Sequence, residues 1–491
     1  MSDPVIDLKE ITLLSELVSS DANFAKKAWE NKVKIDARNK NEFAPLIGYE
    51  GSGKPICEKQ DLKKFAGDTV TFTRTAPVRG RGRMGEESLK DNTNTFKFGT
   101  FQVKVGMRRF AIAWNQLLSL LRLRGDDMSA EQLEQELSAD WWGSMEMDDI
   151  QHVLLRTAFF ESSGRNVIRA GNRAARSDLT LDDTLTTGLI ELAQSKLLSL
   201  GGTPIHVEKD TSGGEIPRYV FFTPWESANS LEEEQIWRDV LQNAGARGGQ
   251  NDYFTGRMPL WKQMLVHRHN IIEDTADGRI GSPLQPLALL GAAIANNSAT
   301  TITGGGSYND DGAKTNVALN DYFAHFPGFA WTTYEGEVAP TDTNTYYAII
   351  YNLTDHKYEG ISYAASGNDG NRLTSVTREV ASIIGTGHAR FSAVHPSESL
   401  IIPCTENGVP IGFSLGLASD ALYLAKGSID AERITHGDDF RNSEGRWHHN
   451  AAGVQGIRGY VSPQDTKGRY PNFLVAEHAR EIPGVSLVDN S

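Results

Sequence analysis

The sequence predicts an α+β chain in which a long two-stranded ribbon and a rod-like helix precede a body of mixed strands and helices. Three observations predict it. Residues 69–73, TVTFT, alternate polar and apolar side chains, and residues 95–110, TFKFGTFQVKVGMRRF, alternate again after a long polar gap. Residues 129–162 place apolar residues at helical spacing over a stretch long enough for roughly 50 Å of helix at 1.5 Å per residue. Beyond residue 180, apolar segments of strand and helix character alternate to the end of the sequence.

Taken in order, residues 1–66 mix short apolar clusters with Lys and Asn and read as an arm with one short helix, LKEITLLSELVSS, rather than a core of its own. In the first ribbon strand Val70 and Phe72 share a face. In the second the phase slips. Phe96 and Phe98 fall in one phase and Phe101, Val103, Val105 and Met107 in the other, with Gly99 between them. An extra residue at a glycine is how a strand changes phase, so a bulge is expected at Gly99. About twenty residues join the strands, and a loop that long is usually functional.

Ser129 and Gln132 have the spacing of a capping box at the head of the rod helix. Leu133, Leu137, Trp141, Met145, Leu154, Leu155 and Phe159 mark its apolar positions. Its acids are Glu131, Glu134, Glu136, Asp140, Glu146, Asp148, Asp149 and Glu161, against one base, Arg156. A helix at 182–200, strands at 203–209 and 218–223, a capped helix near 230–243 and a second ribbon-like stretch at 257–273 follow. Residues 296–372 are rich in Gly, Asn, Asp and aromatic runs such as TYYAIIYNL and read as a β-rich insertion.

Composition bounds the function. Lys plus Arg number 49 and Asp plus Glu 63, so the formal charge is 49 − 63 = −14. A chain this acidic repels polyanions overall, which argues against sequence-specific nucleic-acid binding. Cys57 and Cys404 have no CxxC partner and read as free thiols of a cytosolic protein. The opening MSDPVIDLKE has early acids and no signal-peptide pattern. No stretch approaches 18 uncharged apolar residues, so no membrane span is expected.

Five motifs suggest chemistry. GYEGSGKP, Gly48 to Pro55, approaches a phosphate-binding loop, but Pro55 replaces the hydroxyl that would meet Mg²⁺ and deletes a backbone donor; it reads as a Gly-rich turn. GFSLG places Ser414 in a nucleophile-elbow pattern, with Asp438 or Asp439 and His448 or His449 downstream. That elbow requires βαβ units before it, and the ribbon, rod and insertion are not such units. His267 and His269 share a strand face without a third ligand at metal-binding spacing. Arg124-Gly125-Asp126 approaches the rod helix, and Asn296 and Asn352 open glycosylation sequons without meaning in a cytosolic protein. Trp141 and Trp142 read as one interface and one core residue. No cofactor or metal is expected.

The stretch RTAPVRGRGRMG clusters Arg74, Arg79, Arg81 and Arg83, and Gly85-Glu86-Glu87-Ser88-Leu89 follows. With the strands on either side, this region resembles that of the phage N-four-like coat proteins, within the major capsid proteins of tailed phages that share the Hong Kong 97 fold. FTGRMPLWKQMLVHRHNII at 254–272, LGLASDALYLAKG at 415–427 and GVQGIRGYVSP at 453–463 are similar to further family segments. The likeness runs in pieces over about 67–272 and 376–480; the arginine-rich loop and the insertion depart from it.

The resemblance implies an N-terminal arm at 1–66 and an extended β-ribbon loop at 67–110. It implies a peripheral domain at 111–280 with its spine helix at 129–162, and an axial domain from 281–295 and 373–440. The β-rich insertion at 296–372 and a return to the peripheral domain at 441–491 complete the chain. It implies a structural subunit rather than an enzyme, assembling with itself as hexamers and pentamers into an icosahedral virion shell. Scaffolding and portal proteins, a decoration protein and enclosed double-stranded DNA are the partners, with no membrane and with the host cytoplasm as the place before assembly. The loop charges Arg74, Arg79, Arg81, Arg83, Glu86 and Glu87 and the helix acids Glu134, Asp140, Asp148 and Asp149 are then expected at contacts between subunits. An encapsulin-like compartment, a serine hydrolase using Ser414 and a tail component are the rival readings.

Overall fold

The computed structural model describes residues 22–61, 63–75, 98–115, 130–209, 215–239, 260–269, 281–290, 293–294, 301–303, 344–364, 372–373, 375–384, 389–397, 399–435, 449–465 and 468–482. They form two compact units, each drawn from separated pieces of the chain.

The first unit takes its described residues from 22–47, 58–147 and 424–460. Helix α1, Ala22–Lys40, lies in the segment read as an arm, and the helix expected at LKEITLLSELVSS lies outside the described residues. Its Trp29, Val33 and Ala37 recur at four-residue spacing and bury against Ala139, Trp142 and Met145 of α2, Ala130–Arg156. Gly143 permits this approach: a Cβ there would stand 2.7 Å from the Ala37 carbonyl oxygen. The sheet of this unit runs 56–60, 422–426, 449–461, 432–435, and strand Gly106–Asn115 also pairs with 449–461, Ala111 facing Gly453.

The ribbon is present as Thr69–Thr75 against Phe98–Lys104. Its register is continuous from Thr69↔Lys104 to Thr75↔Phe98, with Arg74 opposite Gly99, so no bulge occurs at Gly99. The interruption falls at Val105. Its carbonyl accepts from Gly67 at 2.7 Å and its N–H donates to Asp68 at 3.0 Å, after which the chain leaves the ribbon for the sheet. With the register unbroken, Phe98 and Phe101 occupy positions on opposite faces of the ribbon. The connecting loop and Ser129 lie outside the described residues.

Helix α2 has the expected span, and a π turn, Thr157–Glu161, continues it. Of its expected apolar positions, Met145, Leu154 and Leu155 are buried, and Leu133, Trp141 and Phe159 are half-buried. Glu134, Gln135, Ser138, Trp142, Glu146 and Asp149 are buried, while Leu137 is 43% exposed. The periodicity is helical, but polar residues hold the inner positions because cations from distant strands meet them there.

The second unit takes its described residues from 48–57, 148–423 and 461–482. Its main sheet runs 167–169, 473–479, 411–417, 215–224, 264–269, 260–261, with 206–209 on 215–224. Helix α3, Thr187–Leu200, is capped by Thr186, whose side chain accepts from Leu189 N–H, and ends at Gly201 in the left-handed region. It packs Leu189, Ile190, Ala193 and Leu197 on this sheet. Helix α4, Trp225–Glu233, starts directly after Pro224, earlier than the helix expected near 230. Strand 345–351, assigned above to the insertion, pairs with 358–364 and with 400–404, and 400–404 pairs in turn with 288–289. That part of 296–372 is therefore integral to the body.

Candidate functional site

The ribbon base is built by its own apolar face. Val70 stands opposite Val103, and Phe72 stacks on Phe101 with centroids 5.6 Å apart. Val70, Phe72 and Val103 are buried. Lys59 lies over the Phe72 ring at 5.3 Å and donates to Thr71 O at 2.7 Å. This fixes the root of the loop that carries the arginines. Arg74 sits in the last ribbon pairs, and Arg79, Arg81, Arg83, Glu86 and Glu87 lie outside the described residues.

The four helix acids separate into two kinds. Glu134 is buried, accepts from Ser138 Oγ at 3.3 Å and is paired with Arg433 of the same chain at 3.2 Å. Burial pushes its carboxyl up and Arg433 opposes that rise. Asp149 is buried as well. Asp140 is paired with Lys40 of α1 and keeps half its side chain exposed, and Asp148 is half-buried. Only Asp140 and Asp148 present carboxylates outward, because the inner face of α2 takes the other two.

Pattern reasoning missed the buried ion pairs that position these elements. Arg458, 2% exposed, lays its guanidinium on Trp142 at 4.3 Å and pairs with Glu146 at 3.0 Å and Asp430 at 2.9 Å. Burial raises the Asp430 carboxyl, and Arg458 and Lys426 overcome this to hold it at about 2. In the second unit Glu477 receives Arg169 at 2.7 Å and Arg176, whose guanidinium also covers Phe159 at 5.1 Å. Glu359 receives Arg378 and lies 3.1 Å from His395. In Glu134–Arg433, Glu146–Arg458 and Arg169–Glu477 the partner lies about three hundred residues later, which leaves no local signal.

Ser414 does not occupy an elbow. It lies mid-strand in Ile411–Leu417, fully buried, between partners Ala476 and the 215–224 strand. Its hydroxyl is 2.8 Å from Thr223 Oγ1 and 3.0 Å from His478 Nε2. The other ring nitrogen of His478 lies by the Ala479 carbonyl at 3.1 Å, not by a carboxylate. Burial pushes His478 down to about 4. A hydrolase needs a substrate carbonyl at the hydroxyl and an acid orienting the histidine; this hydroxyl is inside a sheet. His449 lies in a different sheet, opposite Asn115, and Asp438, Asp439 and His448 are outside the described residues.

The remaining motifs are structural. Gly48–Pro55 forms the turn between strands 47–49 and 56–60, with Gly51 and Gly53 at positive φ and no helix following. His267 stacks on Phe222, and His269 is 3.3 Å from Gln151. Among the described residues no three His, Cys, Asp or Glu side chains gather as a metal would require. Cys57 and Cys404 are buried free thiols, Cys57 donating to Asp420 at 2.8 Å. Asn352 is buried and its side-chain oxygen accepts from Thr354 N–H at 2.9 Å. Trp142 is a core residue, while half-buried Trp141 stacks on Phe110. No described helix is long and apolar enough to cross a membrane.

The family model described as phage capsid protein matches residues 18–279, more than half of the chain, including α1, both ribbon strands and α2. The chain belongs to the phage capsid protein family. It is a phage capsid protein, a structural protein of the virion. Among solved structures, this capsid protein is similar to the capsid of Ralstonia phage GP4, at 12% identity over 90% of this chain and 92% of that one, TM-score 0.49. The capsid asymmetric unit of cyanophage Pam1 gives the same values. The acidic stable capsid of Helicobacter pylori bacteriophage KHP30 is 10% identical over 89% and 91%, TM-score 0.45. The assignment rests on the family match. No curated protein matches the capsid protein's sequence.

Proposed function

We propose that this capsid protein has the Hong Kong 97 fold in its phage N-four-like form. Copies associate as hexamers and pentamers and close an icosahedral shell around double-stranded DNA. The family match over 18–279 carries the reading, because that span contains the ribbon and the long helix. In this reading the arm and ribbon reach over neighbouring subunits, and scaffolding and portal proteins guide assembly in the host cytoplasm. The strands of 345–364 belong to the axial body, and what remains of the 296–372 insertion offers a place for decoration. The loop residues Arg74, Arg79, Arg81 and Arg83, with Glu86 and Glu87, meet an adjacent copy, where Asp140 and Asp148 are the helix acids with outward surface.

Negative-stain electron microscopy with sedimentation tests this on the protein expressed alone and with its genomic neighbours. Closed shells of uniform size are expected. A soluble monomer under both conditions overturns the reading. Shells filled with a protein cargo and free of nucleic acid favour an encapsulin-like compartment.

A further inference from the structure

We propose that the outer face of α1 is a contact surface for the phosphate backbone of double-stranded DNA; this rests on the capsid reading and names a partner for one face of that subunit. The helix ANFAKKAWENKVKIDARNK holds Lys26, Lys27, Lys32, Lys34, Arg38 and Lys40 against Glu30 and Asp36, in a chain whose formal charge is −14. The sorting of these charges around the helix is the main observation. At 100° per residue, Trp29, Val33 and Ala37 take the side buried against α2. On the opposite arc the described side chains, Lys27, Asn31, Lys32, Ile35, Arg38 and Asn39, are all exposed, and Phe24 and Ala28 share the arc by position.

No carboxylate lies on that arc. Glu30 and Asp36 sit half-buried at its two borders, and Glu30 accepts the Arg433 N–H at 3.3 Å. The acid that α2 brings closest, Asp140, is paired with Lys40 at the helix end. Lys34 is half-buried and acts on Asp430. Among the described residues Lys27, Lys32 and Arg38 make no ion pair. The chain's negative total does not cancel this patch, because charge is screened beyond about 8–10 Å at physiological salt.

The chemistry of the arc selects the partner. A protein surface binds through buried aromatic and aliphatic anchors, and Ile35 is the one large apolar residue among the arc's described side chains. Phosphate contacts draw on Lys, Arg and Asn donors, which Lys27, Asn31, Lys32, Arg38 and Asn39 supply. Lys27 and Arg38 are roughly 16 Å apart along the axis, the rise of about five phosphates on one strand. Few cations per copy make each contact weak and sequence-independent, and a shell repeats the contact in every subunit.

The test titrates a labelled random-sequence DNA duplex with the full-length unassembled protein at several salt concentrations. Three to four phosphate contacts predict a log–log salt slope of about −3. The variant K27Q/K32Q/R38Q is expected to bind at least tenfold more weakly with a shallower slope at unchanged melting temperature. The charge-keeping K27R/K32R/R38K retains binding, and R79Q/R81Q/R83Q leaves it in place. The inference is overturned if wild type does not bind at low salt, if the helix variant binds like wild type, or if the loop variant accounts for the loss. It is also overturned if poly-glutamate displaces the duplex at lower charge concentration than unlabelled duplex does, which marks an acidic protein as the partner. Shells that form while duplex binding fails sink this inference alone; absence of shells from wild type sinks the capsid reading.

Discussion

Gly143 of α2 lies so close to α1 that a Cβ on it would stand 2.7 Å from the carbonyl oxygen of Ala37. Glycine inside a helix costs about 1 kcal/mol relative to alanine, so Gly143→Ala gains that much in helix preference. The close contact outweighs it, because the obstructing atom is backbone and overpacking costs about 1–3 kcal/mol. Gly143→Ala is expected to lower the melting temperature. An unchanged or raised value would show that the two helices can part freely.

His478 gives the protein an acid-sensitive window. The unfolded side chain takes a proton near 6.5, while burial holds the folded one down to about 4. Between those values the unfolded state binds more protons, so stability is full above pH 6.5, falls as pH drops, and levels off below about 4. The loss is roughly 3 kcal/mol. His478→Gln is expected to flatten this limb in urea titrations from pH 7 to 4. A wild-type midpoint that stays constant over that range would refute the assignment.

Asp430 acts in a lower window. Its carboxyl, held at about 2 instead of the ordinary 3.8, contributes in full above pH 3.8. That contribution, roughly 2 kcal/mol, is lost as pH falls towards 2. Asp430→Asn leaves Arg458 and Lys426 with less compensation and is expected to destabilise at pH 7 by about 3 kcal/mol. Its remaining acid dependence below pH 4 should be weaker than wild type.

Ser414 is expected to resist a fluorophosphonate probe in the folded protein, since its hydroxyl is buried between Thr223 and His478. Ser414→Ala should cost about 1–3 kcal/mol by leaving buried partners unpaired. Stoichiometric labelling of Ser414 at native pH would restore the hydrolase reading.

The loop arginines are expected to act through numbers. Exposed pairs contribute about 0–1 kcal/mol each. R79A/R81A/R83A particles should assemble yet lose heat and salt resistance relative to wild type. Mutant shells as resistant as wild type would leave these arginines as solvated charges.

The ribbon and the span of α2 were legible in the sequence because strand alternation and helical spacing are local signals. That α2 buries acids was not. Glu134 and Glu146 read as surface acids, and their cations, Arg433 and Arg458, come from strands about three hundred residues later. Gly99 looked like a bulge because Phe98 and Phe101 are out of phase, whereas in the unbroken register they take opposite faces of the ribbon. Helix α1 left a usable signal, Trp29, Val33 and Ala37 at four-residue spacing, which the surrounding lysines masked. The buried state of Ser414 was not legible, because a three-residue pattern carries no information on whether a strand is central.

The first unit draws strand 106–115 and its partner 449–458 from opposite ends of the chain. A ribosome adding 5–20 residues per second needs on the order of tens of seconds to travel from one to the other. During that interval the nascent chain has made α1, the ribbon and α2 but not the Arg433 and Arg458 that anchor α2. Until translation reaches Arg433 and Arg458, Glu134 and Glu146 of α2 lack those partner cations.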